Sequence, residues 1–475
     1  MSVIDVRDPR TGEIEFSFEP HSREFVEEVC SKARSAQKTW HDRGLAYRVE
    51  VMEKWVAALR ARSGAIIEAL SKDTGRRKIS AEEVGAIEHM VHGYMAKAPE
   101  IFAKVEKKSS NAPSVDFEQQ YVPYPIVGVI GPWNFPLVLI FFDALPALFA
   151  GCAVVLKPSE VTPRFIAPLL ESIADVPELD GIISVVKGGP ETGQAIIENV
   201  DLIVFTGSIP TGRKIAMAAA SRMIPYFLEL GGKDPAVVLA NSDLERAATA
   251  IIRSAIYNSG QVCYAIERVY VEESAHNELV RLLVEKCNTL ALNYPDAGKG
   301  HIGPFIFPNQ ADIVLSQLQD AVAKGAKVQC GGEIRNLGGG LWMEATVVTD
   351  VTHDMRIMTE ETFGPVIPVM RVKSAEEAVY LANDTIFGLS AAVFAPDLKI
   401  GTETAAKINA GGVSINDTEL PRTITLDGEK MAFGYSGQGG SRYGAATMMR
   451  YVRKKALIRN RGEVKGVEAL SEEIL

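Results

Sequence analysis

The chain has 475 residues, 47% hydrophobic and 23% charged, with 60 acidic against 50 basic side chains and a net charge of −10. Such globular composition excludes a disordered or collagen-like chain, and the length suits two or three domains. The acidic balance gives no global electrostatic reason to seek nucleic acid or anionic lipid.

Along the chain, the opening MSVIDVRDPRTGEIEF has no basic stretch followed by an apolar one, so no secretory signal is expected. Leu45, Val49, Met52, Val56 and Leu59 recur at spacings of four and three and predict a helix with one apolar face. Gly75 punctuates that helical segment. His89 and His92 have metal-ligand spacing, but no partner motif accompanies them, and structural histidines are expected with no metal. Residues 126–156 carry one charge, Asp143, over a length that could span a bilayer. Pro132, Pro136 and Pro146 break helix geometry there, so a buried core is expected and no membrane contact.

From about residue 150, β-branched runs alternate with helix-length segments. AVVL (153–156), IISVV (182–186) and LIVF (202–205) read as strands, with helices over 164–175 and 191–198. That alternation predicts βαβ units, a parallel sheet and a ligand at the carboxyl ends of its strands. Phe205–Gly212 (FTGSIPTG) leaves a strand and enters a helix, the setting in which unpaired N–H groups bind phosphate. A plain strand-to-helix turn is the alternative. A break near Gly231-Gly232 opens a second alternating series after PAVVLA (235–240), running to about residue 430. The only strict dinucleotide fingerprint, Gly298–Gly303 (GKGHIG), follows a turn instead of a strand and is set aside. The tail from 451 is basic and extended. It reads either as an edge strand for another subunit or as a strand within its own. Its Arg450–Arg461 cluster lacks the aromatics of a nucleic-acid surface.

Five cysteines (Cys30, Cys152, Cys263, Cys287, Cys330) form no CxxC pair and are odd in number, which fits free thiols in a reducing, cytoplasmic setting. Three polar residues stand in unusual surroundings. Cys263 lies in NSGQVCYAIERVYV, Glu229 in YFLELGGKDPAVVL, and Asn134 in the proline-bounded turn GPWNFP. Each alone has an ordinary reading: small hydrophobe, surface acid, turn former. Together they form a set of buried polar groups that needs a reason.

Taken with their flanks, these segments resemble the NAD(P)-dependent aldehyde dehydrogenase superfamily over roughly residues 100–460. The matching motifs, in order, are GVIGPWNFPL, AGCAVVLKPSEVTP, FTGSIPTG, LELGGKDP, GQVC, EETFGPV and NDTIFGLSAAVF. The resemblance implies an α/β chain with a Rossmann-type cofactor domain (1–115 and 129–235), an α/β catalytic domain (236–450) and a small β oligomerisation element (116–128 and 451–475), in a homodimer or homotetramer. It implies Cys263 as nucleophile, Glu229 as general base, and Asn134 with the Cys263 N–H as oxyanion hole. Lys157, Ser159 and Glu160 would serve the adenosine ribose, Trp133, Gly207, Ser208 and Gly212 the pyrophosphate, and Glu361 and Phe363 the nicotinamide ribose.

An unperturbed thiol has a pKa of about 8.5, so only a few per cent is thiolate at neutral pH and activation is worth having. Attack on an aldehyde carbon, loss of hydride and hydrolysis of the thioester would yield the acid. NAD is the expected cofactor, because a carboxylate at Glu160 suits free ribose hydroxyls; NADP is also accommodated. Phe135, Phe142 and Tyr264 suggest an apolar or aromatic small-molecule aldehyde. Arg422 could instead capture a carboxylate, as in a semialdehyde, although a surface arginine is the simpler reading. CoA acylation, thiol hydrolysis and a non-catalytic binding role on the same fold are the remaining alternatives. Two departures stand out: Cys152 in AGCA, and the irregular AFGYSGQGGSRYG (432–444), a region that shapes the substrate entrance in the family.

Overall fold

The computed structural model describes residues 2–472. A short hairpin, Ile4–Arg7 with Ile14–Phe18, precedes three long helices, Arg23–Asp42, Gly44–Thr74 and Arg77–Ile101. Met52, Val56 and Leu59 are buried, with Leu45 and Val49 at the margin of the same core. Gly75 ends its helix in the left-handed conformation (φ 71°), which a residue with a Cβ rarely adopts. His89 and His92 are both exposed, not structural core; His92 lies 3.4 Å from Glu53. Among the described residues, no group of three or more His, Cys, Asp or Glu could hold a metal.

The apolar stretch divides into strand Ile126–Ile130, the turn with Asn134, and helix Val138–Ala150, whose residues 143–150 are all buried. No helix among the described residues is long and apolar enough to cross a membrane. The strand is central in a six-stranded sheet. Its order is Gly437–Gln438, Tyr226–Glu229, Leu202–Thr206, Ile126–Ile130, Ala153–Lys157, Ile183–Val185. All neighbours are parallel except the two-residue Gly437–Gln438, which pairs antiparallel. From Ile126–Ile130 the chain winds outward to one side, then returns to start on the other with Leu202–Thr206. The order of strands therefore reverses between these two, and a crevice opens at their carboxyl ends.

A second, seven-stranded sheet has the order Lys327–Cys330, Thr346–Thr349, Val366–Val372, Ile266–Glu272, Asp234–Val238, Ser390–Phe394, Gly412–Ile415. Its strands are parallel apart from the edge strand Lys327–Cys330. Their near-continuous apolar runs fit a sheet covered on both faces. The expected span 236–450 is not confined to this sheet, because Gly437–Gln438 crosses back to the first, and Met448 joins the first sheet's core.

The third sheet holds Val105–Lys108, Val115–Pro123 and Val452–Asn460, with the middle strand pairing antiparallel to both others. It takes in residues 105–108 and leaves 126–128 to the first sheet, a difference from the expected 116–128. The tail strand thus pairs within its own chain and keeps one edge open. Residues 473–475 of the expected element lie outside the described residues.

Candidate active site

Asn134 is held from three sides. Its side-chain Nδ2 donates to the Gln261 carbonyl at 3.0 Å. Its own carbonyl accepts from Arg76 Nη2 and from Asn258 Nδ2. Arg76 is fully buried, pairs with buried Glu83 at 3.2 Å and lies over the Phe135 ring at 4.6 Å. Glu83 in turn accepts the Leu137 and Val138 N–H groups at 3.1 Å each. A buried ion pair on helix Arg77–Ile101 and the residue before it therefore fixes the turn and aims its amide. Nothing in the local sequence of that helix announced this role.

Cys263 sits after Asn258, Ser259 and Gly260, three successive residues in the left-handed region (φ 51°, 58°, 74°). The pair Gly231-Gly232 admits two neighbours no side chain would allow. A Cβ on Gly232 would lie 2.2 Å from the Cys263 carbonyl oxygen, and one on Gly231 would lie 2.5 Å from the Glu361 carboxylate. No acceptor among the described residues takes the Cys263 backbone N–H. Burial pushes the thiol up to about 12, with the charges of Asp234 and Glu361 adding to the effect and Arg442 and Lys430 opposing it. The thiol form is therefore the resting form at neutral pH. Burial also raises Glu229 above the usual carboxylate range, with Arg442 and Arg450 opposing.

Glu361 accepts the Gly232 N–H at 3.0 Å; burial and the neighbouring Glu267 push it up to about 8. The turn that carries it is fixed by Glu267, which accepts the Thr362 and Phe363 N–H groups at 2.7 Å each. Lys233, wholly buried, pairs with Glu267 at 2.8 Å and donates to the Thr362 hydroxyl at 2.7 Å. Phe363 has φ 53° and meets Trp133 edge-on at 5.5 Å.

These residues converge. A narrow space of about 140 Å³ is lined by Trp133, Asn134, Glu229, Cys263, Glu361 and Phe363, with Gly207 and Ser208. On one side it adjoins a cleft of about 400 Å³ over the six-stranded sheet, lined by Trp133, Lys157, Ser159, Glu160, Gly207 and Ser208, with Gly189 and Gly193. Ser208 precedes helix Ile209–Ser221, and its side chain makes no cap bond, so the Ile209 and Thr211 N–H groups of the first turn remain available, Pro210 having none. Lys157 and Glu160 are 3.1 Å apart. A Cβ on Gly189 would meet nothing within 4 Å, which keeps the cleft open. Gly212 does not line it. A Cβ there would lie 2.7 Å from Leu230, so this glycine serves close packing of helix on strand. The set fits a dinucleotide: a helix N-terminus for pyrophosphate, and a cation–carboxylate pair for ribose hydroxyls. Residues 298–303 follow no strand and lead into no helix directly, so GKGHIG has no part in this cleft.

On the other side lies a cavity of about 420 Å³ that contains Cys263. Phe135, Val138, Leu139, Phe142, Tyr264 and Tyr443 form its inner wall, and Glu82, His89, Lys97 and Arg422 contribute charge. Arg422 is exposed, as a surface arginine would be, and it also lies over the Tyr257 ring at 5.2 Å, 3.6 Å from Glu419, and lines this cavity. Arg422, one of the two sequence readings for a substrate contact, and Tyr443, which the sequence did not single out, line the same cavity as Cys263.

Known proteins agree with this architecture. The profile of the Aldehyde dehydrogenase family matches residues 1–457. A solved structure from Anabaena variabilis, provisionally assigned as an aldehyde dehydrogenase, is 46% identical, covers 98% of this chain and 99% of its own, and superposes with a TM-score of 0.96. Lactaldehyde dehydrogenase from Escherichia coli is 29% identical over 97% of this chain and 96% of its own, with a TM-score of 0.91. A Mycobacterium ulcerans protein provisionally assigned as succinate-semialdehyde dehydrogenase (NADP+) 2 is 33% identical over 462 residues, 96% of this chain and 89% of that protein. By sequence and by fold, the chain belongs to the aldehyde dehydrogenase family.

Proposed function

We propose that this enzyme oxidises an aldehyde to its carboxylic acid with NAD or NADP, through a thioester on Cys263. The observation that carries the reading is the meeting of Cys263, Glu229 and Asn134 in the narrow space between a dinucleotide-shaped cleft and a separate cavity. Cys263 gives its proton to Glu229, which releases it to solvent before deacylation, and attacks the aldehyde carbon. The C=O π pair moves onto the oxygen, which becomes anionic. The second N–H of the Asn134 amide, with the Cys263 backbone N–H, receives that charge; one such donor is worth about 2.7–4 kcal/mol. The nicotinamide, when bound, supplies the hydride acceptor that lets the thioester form. Glu361 and Phe363 would hold its ribose, Trp133 and Ser208 the pyrophosphate, and Lys157, Ser159 and Glu160 the adenosine ribose. Glu229, ionised, takes a proton from water as that water attacks the thioester and releases the acid.

The Glu160 carboxylate favours the free ribose hydroxyls of NAD over a 2′-phosphate. The aromatic and aliphatic wall of the cavity favours an apolar or aromatic aldehyde. Arg422 supports a second substrate reading, a semialdehyde whose carboxylate reaches that guanidinium, in keeping with the name of the Mycobacterium ulcerans relative. Transfer to CoA is disfavoured, because a base that activates water would waste the acyl group. The open edge of strand Val452–Asn460 suits assembly into a homodimer or homotetramer, and the free thiols suit the cytoplasm.

The test is a pulse of aldehyde and NAD on Glu229→Gln, read by intact mass. An acyl adduct on the Cys263 peptide is expected to accumulate. Deacylation at the wild-type rate would reject Glu229 as the base.

A further inference from the structure

Asp143, the single charge between residues 126 and 156, is 1% exposed. It accepts from Arg442 Nη2 at 2.6 Å and from the Tyr451 hydroxyl at 3.2 Å. Arg442 also donates to the Leu139 carbonyl at 2.7 Å and lies over the Phe142 ring at 4.7 Å. Leu139 lines both spaces that contain Cys263, and one of these contains Glu229. Arg442 therefore stands directly behind the wall of the reaction site. It comes from the irregular glycine-rich segment that departs from the family pattern.

A second cation stands nearby. The Arg450 guanidinium lies 4.1 Å over the ring of Phe227, two residues before Glu229 on the same strand. All three of its nitrogens are buried without a hydrogen-bond partner, as is Arg442 Nε. The Glu229 carboxylate accepts no hydrogen bond from any described residue. Glu229 is half-buried and lines the narrow space, so its carboxylate is only partly solvated, and nearby positive charge favours its ionised form.

The charged and titratable groups around Glu229 come from every side. Asp143 belongs to helix Val138–Ala150, Lys430, Arg442 and Tyr443 to the segment 430–443, Arg450 to the turn beyond, Cys263 to its own loop, and Glu361 to the opposite wall of the narrow space. The neighbouring strands oppose Glu229 with Thr206 and Gly437, neither charged. Burial raises Glu229 and Asp143 adds to that, while Arg442, Arg450 and Lys430 pull it down.

We propose that Arg442, fixed in place by Asp143, is the positioning residue that keeps Glu229 ionised for deacylation, with Arg450 as a second cation. The inference rests on Glu229 being the base. Its test is the decay of the acyl-enzyme with pH, followed by intact mass after a short pulse of aldehyde and NAD. Arg442→Met should move the acid limb of that decay to higher pH by about one pH unit, the effect of removing an adjacent opposite charge. Arg442→Lys, which keeps the charge, should hold the limb near the wild-type position. An unmoved limb in Arg442→Met, or a limb displaced equally in Arg442→Lys, overturns the proposal. If Arg442→Met does not fold, Arg450→Met carries the test: a smaller displacement in the same direction is expected, and none overturns it. Glu229→Gln separates the two ideas. A limb that survives this change removes the base and the proposal together, whereas one that vanishes here yet stays put in Arg442→Met removes only the proposal.

Discussion

The cleft over the six-stranded sheet draws all its lining from residues 130–215, one continuous βαβ stretch. The cavity on the far side of Cys263 takes its wall from residues 79–97, 135–142, 257–264, 422–427 and 443, brought together from five parts of the chain. The first region is built by local rules: strand, glycine turn, helix N-terminus. The second depends on long-range packing, and its walls are fastened by buried ion pairs such as Arg76–Glu83 and Asp143–Arg442. One side of the enzyme is therefore a repeatable cradle. The other is free to change its substrate by changing remote loops.

That contrast can be broken at its fastenings. Glu83→Ala leaves the Arg76 guanidinium buried and unpaired, which costs about 3–5 kcal/mol. Thermal or denaturant unfolding should show a loss of that size, and an unchanged midpoint would mean the pair does not hold the turn. Asn134→Ala tests the junction itself. It should lower kcat by roughly 10²–10³ with cofactor binding intact, the cost of one oxyanion donor; equal activity would place the carbonyl oxygen elsewhere. The smallest effects sharpen the division between the two regions. Phe142→Ala should reduce kcat/KM for an apolar aldehyde about tenfold, from lost apolar burial, and leave the KM for NAD unchanged. Glu160→Gln should do the reverse, weakening NAD about tenfold, the worth of one charge-assisted hydrogen bond. If either variant moved both parameters together, the two regions would not be independent.

The same contrast explains what could be read from the sequence. Strands at 153–157 and 202–206 and the helix after Ser208 follow from alternation and glycine placement, which are local signals, whereas Trp133, Lys157 and Glu160 were implied by the family motifs alone. Gly212 was misjudged because a glycine at a helix start looks alike whether it admits a phosphate or a leucine. Cys263, Glu229 and Asn134 stood out as a set by their surroundings, but their roles came only from family motifs, since each alone has an ordinary reading. The cavity wall was partly visible in Phe135, Phe142 and Tyr264, which neighbour those motifs. Tyr443 was hidden because sequence separation conceals contact, and Arg422, exposed yet lining the cavity, is compatible with both of its sequence readings. Asp143 did leave a trace, as one charge in thirty-one otherwise uncharged residues (126–156), but its partner, 299 residues away, did not.

The central claim is oxidation of an aldehyde at Cys263 with water as the acyl acceptor. Its most direct test is absorbance at the reduced-nicotinamide band, with aliphatic, aromatic and semialdehyde substrates, NAD and NADP separately, with and without CoA. The account predicts aldehyde-dependent reduction without CoA in the wild type and none in Cys263→Ala, which should still bind NAD. Reduction that requires CoA, or that persists in Cys263→Ala, would contradict it.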